Sequence, residues 1–285
     1  MSTGLLSALK KDRWMTCVAI VVLAILGWSI VGPFIVPDPN VVDLSRRLQP
    51  PGEGGLFGTD ALGRSVAAQL TYGLRTSLVV AGITVVAGLA LGVLAGLTAG
   101  YRMGWTDWAI MRMVDIQMSL PILLIAAAIM ISTDGGIWVL VVILTLTSWM
   151  VYARVARTLA MRARSTDFVV ATESLGASPR RVLFRHLVPN VLPSMTALAS
   201  LEFARILLAE AGLSFLGFGV QPPSVSVGTM IAGGREYLVS AWWITTFPGL
   251  ALALVVLSFN LLGSWAERMT SAASEAGVSL TQGKV

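Results

Sequence analysis

The sequence predicts an all-α membrane protein of six transmembrane helices, and three observations predict it. Of 285 residues, 55% are hydrophobic and only 12% charged, about half the charge of an ordinary soluble domain. The mean hydropathy is +0.79, which leaves more apolar side chain than a globule of this size can bury. The apolar residues also fall in runs of bilayer length. A helix rises about 1.5 Å per residue, so roughly 20 apolar residues cross a hydrocarbon core of about 30 Å.

Six such runs are read at 14–36, 77–100, 114–132, 137–152, 191–212 and 242–265. Lys10, Lys11 and Arg13 precede an uninterrupted first run with no small-residue cleavage site behind a short core, the pattern of a retained helix. Trp14, Trp105, Trp108, Trp138, Trp149, Trp242, Trp243 and Trp265 stand close to run ends, where an indole sits at headgroup level. In the second run Gly82, Gly88, Gly92 and Gly96 include a small-xxx-small spacing that lets helix backbones approach. Such packing occurs in any helix bundle and carries no information about function.

Lys and Arg set the orientation, because cytoplasmic loops hold the excess. With the N-terminus inside, Arg102, Arg112, Arg154, Arg157, Arg162, Arg164, Arg180, Arg181, Arg185 and Arg268 are cytoplasmic, and Arg46, Arg47, Arg64, Arg75 and Arg235 are outside. The even count of spans returns the C-terminus to the cytoplasm. The expected organisation is a cytoplasmic tail and first helix (1–36), an extracytoplasmic loop (37–75), a core of five helices (76–265) and a cytoplasmic tail (266–285). A net charge of +5 is explained by this topology, and nucleic acid is not expected as a partner. Cys17 is the only cysteine and lies in the first run, which excludes an internal disulfide and a cysteine-built metal site.

In the outer loop, Gly58-Thr-Asp-Ala-Leu-Gly63-Arg64-Ser65 nearly spells G-x-x-x-x-G-K-[ST], with Arg64 in the lysine's place. A working phosphate loop follows a strand and opens a helix. The sequence predicts neither context, and the expected element is a turn leading into an amphipathic segment over 61–74.

The cytoplasmic loop at 153–190 carries seven arginines. Its centre runs Asp167-Phe-Val-Val-Ala-Thr-Glu-Ser-Leu-Gly176-Ala-Ser-Pro179, a helix-compatible stretch closed by a glycine and a proline. A second segment, 180–187, leads to Pro189 and Pro193. The expectation is a short helix, a turn and a second helix along the membrane surface; a plain solvated basic loop accounts for the same pattern.

At this loop the chain resembles the permeases of bacterial binding-protein-dependent ABC importers, whose signature is EAA, three residues, Gly, a hydrophobic stretch and His-x-x-Pro. Ala171, Thr172, Gly176, His186 and Pro189 stand in those places; Val170 replaces the Glu and Thr172 the second Ala. Further stretches narrow the resemblance to the subgroup that imports dipeptides, oligopeptides and, in some members, nickel. They are Phe57 to Arg64, Gly100 to Asp107 with Met111 to Asp115 and Pro121, Glu210 to Gly217 with Gln221-Pro-Pro223, and Pro248-Gly-Leu250 with Phe259 to Gly263.

The resemblance implies the type I ABC importer permease fold and half of a translocation pathway in the bacterial cytoplasmic membrane. It implies three kinds of partner beside the lipid bilayer itself: a second, homologous but distinct permease chain, two ATP-binding subunits that hold ATP and Mg, and an extracytoplasmic substrate-binding protein. No cofactor and no catalysis are expected on this chain. The implied coupling helix comprises Phe168, Val170, Ala171, Thr172, Glu173, Ser174, Leu175, Gly176, Ala177, Ser178, Pro179 and Arg180. Peptide is the expected cargo, with nickel or another small solute as the alternative.

Ionisable groups at bilayer depth are functional candidates. Glu202 and Arg205 lie three residues apart on one helix face and can pair, and Glu210 lies two turns further toward the outside. They are read as pathway or gate residues, against a self-neutralised pair that only holds helices together. His186 is the lone histidine, so no histidine cluster for metal or proton relay exists. An ion-coupled secondary transporter is the rival class, but the matching interrupted halves it would show are not found in the sequence. A channel or a membrane-embedded enzyme lacks its repeated filter or catalytic constellation.

Overall fold

In hydrocarbon a chain satisfies its backbone polar groups only within helices or closed barrels, and in the computed structural model every long apolar stretch is helical. It describes residues 13–133, 135–164, 172 and 175–282; among them the only β pairing is an isolated bridge between Thr59 and Ser65. The helices are α1 (Arg13–Val31), α2 (Val66–Arg102), α3 (Gly104–Met118), α4 (Ile122–Ser132), α5 (Ile137–Arg164), α6 (Pro179–Val182), α7 (Val188–Phe215), α8 (Val227–Gly234) and α9 (Trp243–Gln282). Five stretches, containing α1, α2, α5, α7 and α9, are long and apolar enough to cross a membrane, and the bent pair α3 and α4 raises the count to six.

The centre of the bundle is the parallel pair α2 and α5, brought together by glycine. A Cβ on Gly88 would strike Ser148 Oγ, on Gly92 the carbonyl of Trp149, on Gly96 the carbonyl of Ala153, and on Gly100 the backbone of Arg157. One glycine per turn of α2 therefore meets the backbone of α5 along about 18 Å, at a rise of about 1.5 Å per residue. The predicted spacing packs as expected, except that Gly82 has open space beside it.

The small face of α5 does not stop at the end of the predicted run. Ala153, Ala156, Ala160 and Ala163 are buried, the last three in a cluster with Leu97, Tyr101 and Tyr152. The helix continues to Arg164 because this face still has α2 to pack on, although Arg154, Arg157, Arg162 and Arg164 end its apolar character. α2 is also longer than predicted, starting at Val66 under an N-cap in which Ser65 Oγ accepts from Ala68 N (3.3 Å). The segment read as amphipathic surface is largely the first turns of this helix.

The span predicted at 114–132 is not one helix. α3 and the helical residues Leu123–Ser132 of α4 lie at 85°, with Ser119, Leu120 and Pro121 between them. Pro121 has no N–H to continue the ladder and disfavours helical backbone at Leu120. α1 and α7 follow their predicted runs within a few residues, while α9 starts as predicted and runs on past 265 to Gln282. α1 and α9 run antiparallel to α2 and α7 respectively: Trp28 Nε1 donates to Thr71 Oγ1 (3.2 Å), Tyr72 Oη to the carbonyl of Pro33 (3.1 Å), and Ser200 Oγ to the carbonyl of Phe259 (2.9 Å).

The bundle has two distinct ends. One gathers the start of α3, the ends of α2 and α5, and α6, and is basic. The other carries the 37–65 loop, which is tied down by Trp243 Nε1 donating to the carbonyl of Thr59 (3.0 Å) and by Phe57 stacked on Phe247 (4.4 Å).

The glycine contact gives a direct test. Gly96→Leu drives a side chain into the α5 backbone and is expected to cost about 1–3 kcal/mol or to prevent folding. Gly82→Leu, beside open space, is expected to leave thermal stability in detergent unchanged. Equal melting of the two variants would contradict the packing.

Candidate functional site

Two regions bring the predicted residues together. At the basic end, α6 is entered through a capped turn. Thr172 is helical, Gly176 has φ +80°, and Ala177 N donates to the carbonyl of Thr172 (3.3 Å), the six-residue bond of a Schellman cap. Ser178 Oγ then accepts from Arg181 N (3.4 Å), and Pro179 opens α6 at its first position. Leu175, just before the cap, is 89% exposed. Gly176, Ser178, Pro179 and Arg180 are exposed and Ala177 is half-buried. Phe168, Val170, Ala171, Glu173 and Ser174 of the predicted coupling segment lie outside the described residues.

The base of this turn is firmly held. Val182, Leu183 and Leu187 are buried against Val93, Leu97, Tyr101, Ala156 and Ala160 of the α2–α5 pair. The predicted second helix is thus present, but it enters α7 through a widened π turn, Leu183–Leu187, in which Val188 N reaches the carbonyl of Leu183. Pro189 follows at once and donates no N–H, so the ladder has to change register here. His186 belongs to this turn.

Polar contacts that sequence reasoning did not find fix α3 to the same end. Arg157 donates through Nε and Nη2 to Asp107, the Nη2 bond at 2.6 Å, and Arg154 Nη2 donates to Asp115 Oδ1 (2.7 Å). Trp149 Nε1 donates to Gln117 Oε1 (2.9 Å), and Arg164 Nη1 to the carbonyl of Tyr101 (3.0 Å). The available signal was the presence of Asp107 and Asp115 among so many arginines; their partners, 50 and 39 residues away, carried no local mark.

The second region is α7. Arg205 holds Glu202 by Nε to Oε2 (2.9 Å) and Nη2 to Oε2 (2.6 Å), the pair expected on one helix face. The two ends are in different surroundings: the Glu202 side chain is 8% exposed and that of Arg205 44%. Tyr152 of α5 is fully buried with no hydrogen bond to its hydroxyl.

Glu210 is enclosed by serines. It is fully buried, its Oε1 accepts from Ser214 Oγ (2.7 Å), and the hydroxyls of Ser77 and Ser226 face the same carboxyl, though neither meets Oε2 in direct hydrogen-bond geometry. Each serine also accepts a backbone N–H: Val227 N on Ser77 (3.4 Å), Val220 N on Ser214 (3.2 Å) and Thr229 N on Ser226 (3.3 Å). Ser214 is the one that donates to the carboxyl, and α2, α7 and the start of α8 meet around it. Short serines on separate elements gave no sequence signal for this.

The phosphate-loop-like stretch is a turn organised by Asp60. Asp60 Oδ1 accepts from Leu62 N (2.8 Å) and Arg64 N (2.9 Å), and Oδ2 from Arg64 Nε (2.7 Å) and Gln69 Nε2 (2.9 Å). The stretch does open a helix, α2, which the sequence reading had not expected. Gly63, at φ +73°, lies against the carbonyl of Asp43, where a Cβ has no room.

Known proteins share this architecture. The model of a family described as binding-protein-dependent transport system inner membrane component matches residues 88–272. The chain is 38% identical over 248 residues to the di/tripeptide transport system permease protein DppC of Pseudomonas aeruginosa, covering 85% of this chain and 82% of that protein. It is 33% identical over 257 residues to the oligopeptide transport system permease protein OppC of Mycobacterium tuberculosis, covering 90% and 88%. A chain of the MetNI methionine ABC transporter, solved in inward-facing conformations, superimposes with a TM-score of 0.57 at 17% identity over 70% of this chain and 95% of its own length, which shows a common fold. With a family model spanning most of the chain and relatives of this identity over nearly all of it, the protein belongs to the inner membrane components of binding-protein-dependent transport systems.

Proposed function

We propose that this chain forms half of the translocation pathway of an ATP-driven importer of di- and oligopeptides, and that ATP chemistry and first substrate selection belong to its partners. The observation that carries the pathway reading is Arg205. It sits near the middle of α7, a membrane-spanning helix, with 44% of its side chain exposed on the surface of the single chain. A guanidinium at hydrocarbon depth is costly against lipid. Its exposed face therefore belongs to a water-filled route or to a second permease chain, with Glu202 as the buried counter-charge. Peptide as cargo is supported by the names of the relatives.

The remaining assignments follow from the basic end. Arg102, Arg154, Arg157, Arg164, Arg180 and Arg181 gather there, and the positive-inside rule makes it cytoplasmic, with both termini on that side. The segment from Phe168 to Arg180 is read as the coupling element for one of two ATPase subunits, which hold ATP and Mg. The exposed tip at Leu175 on a buried base supports this, because a rigid knob transmits displacement to the helices beneath it. A substrate-binding protein is read at the opposite face. This chain itself is read as non-catalytic.

Affinity purification of the chain from its native membrane is expected to bring ATPase subunits with it. Proteoliposomes of that complex are expected to take up labelled dialanine only with ATP on the ATPase side and the binding protein on the other. Uptake driven by a proton gradient without the ATPases would overturn the reading.

Three variants refine it. Leu175→Asp is expected to leave the amount of chain in the membrane unchanged and to lower ATP-driven uptake at least about tenfold, the effect of losing one interface anchor. Arg205→Leu leaves Glu202 buried and unpaired, at a cost on the order of 3 kcal/mol. The double variant Glu202→Gln with Arg205→Gln is expected to regain thermal stability but not uptake; parental uptake by the double variant would remove the pathway role.

A further inference from the structure

We propose that this chain carries, on the face bearing the 37–65 loop, a subsite for the C-terminal carboxylate of a short peptide, built around Arg64. The proposal rests on the peptide-importer reading above and adds a place where this chain itself meets the solute. A cavity of about 240 Å³ opens where the 37–65 loop, the turn at 222–225 and α8 come together. It adjoins a second hollow of about 250 Å³, and the two share Asn40, Pro223, Ser224 and Val225 as a common wall.

Four side chains around the first cavity carry donors without partners among the described residues. Arg64 is anchored through Nε to Asp60, whose two oxygens already accept four hydrogen bonds. Its Nη1 and Nη2 make no hydrogen bond or ion pair among the described residues, and neither do the side-chain amide of Asn40 or the hydroxyls of Ser224 and Tyr237. All four side chains line the cavity. A guanidinium held by one edge with its fork free is the group that binds a carboxylate in two parallel hydrogen bonds.

The charge balance selects the ligand class. Asp60 offsets much of the charge on Arg64, so the site suits a single carboxylate better than a phosphate dianion. The adjoining hollow carries the opposite sign: Asp38 lines it, with Oδ1 accepting the N–H of Asn40 (2.7 Å) and Oδ2 free of partners among the described residues. Donors in one chamber and a carboxylate in the next match the two ends of a zwitterionic peptide.

The test uses the importer complex purified through this chain into lipid nanodiscs, without the binding protein, with trialanine and its C-terminal amide as probes. Saturation-transfer NMR is expected to detect trialanine and to find the amide roughly tenfold weaker, the loss of one charge-assisted contact. The double variant Asn40→Ala with Tyr237→Phe leaves the Asp60–Arg64 turn intact. It is expected to weaken trialanine severalfold and leave the amide unchanged, while Arg64→Gln abolishes the difference between the two probes. Equal binding of acid and amide, an unaltered double variant, or no transfer at millimolar trialanine overturns the subsite. ATP-driven trialanine uptake by the complete system separates the two levels: uptake with any of those results removes the subsite alone, and absence of uptake removes the peptide reading beneath it.

Discussion

The contact between the backbones of α2 and α5 is the constraint on which the rest of this molecule hangs. In lipid, apolar side chains gain nothing by leaving the solvent for one another, so helices associate through close packing and polar bonds. Gly88, Gly92, Gly96 and Gly100 provide the first by removing every side chain from one edge of α2. The last of them sets Arg157, whose backbone touches Gly100, at the height where its guanidinium meets Asp107 of α3. The same pair forms the floor on which Val182, Leu183 and Leu187 rest. The described residues of the basic end that pack on this pair are therefore one body, joined to helices long enough to cross the membrane.

Features written in short-range pattern were legible in the sequence. Run length gave the crossings, glycine spacing gave the packing edge of α2, and the Gly176 and Pro179 pair marked the turn before α6. Pro121 was as visible as these, but a hydropathy run says nothing of direction, and a helix broken by 85° keeps the same apolar average as a straight one. The early start of α2 was hidden for the converse reason: Gln69, Thr71 and Tyr72 lower the hydropathy of its first turns, yet Gln69 and Thr71 are buried and hydrogen-bonded, and Tyr72 bonds to Pro33.

Partners across helices were not legible at all. Asp60 shows the limit well. Its stretch resembles a phosphate cradle in spelling, but a carboxylate at its centre accepts the N–H groups that a phosphate would have taken. Spelling fixes which donors are close together, and only the fold decides which acceptor they face.

The acids of α7 show how one helix can carry two charges of different purpose. Glu210, near the loop end, is fully buried within this chain, with Oε1 accepting from Ser214 and Oε2 enclosed without a direct hydrogen bond. Glu202, just over two turns away, is paired with an arginine that emerges from the chain near mid-helix. A group enclosed within the chain can act by fixing α2, α7 and α8 relative to one another. A cation left half exposed near the middle of a membrane-spanning helix is the feature on which the proposed pathway or second permease chain rests.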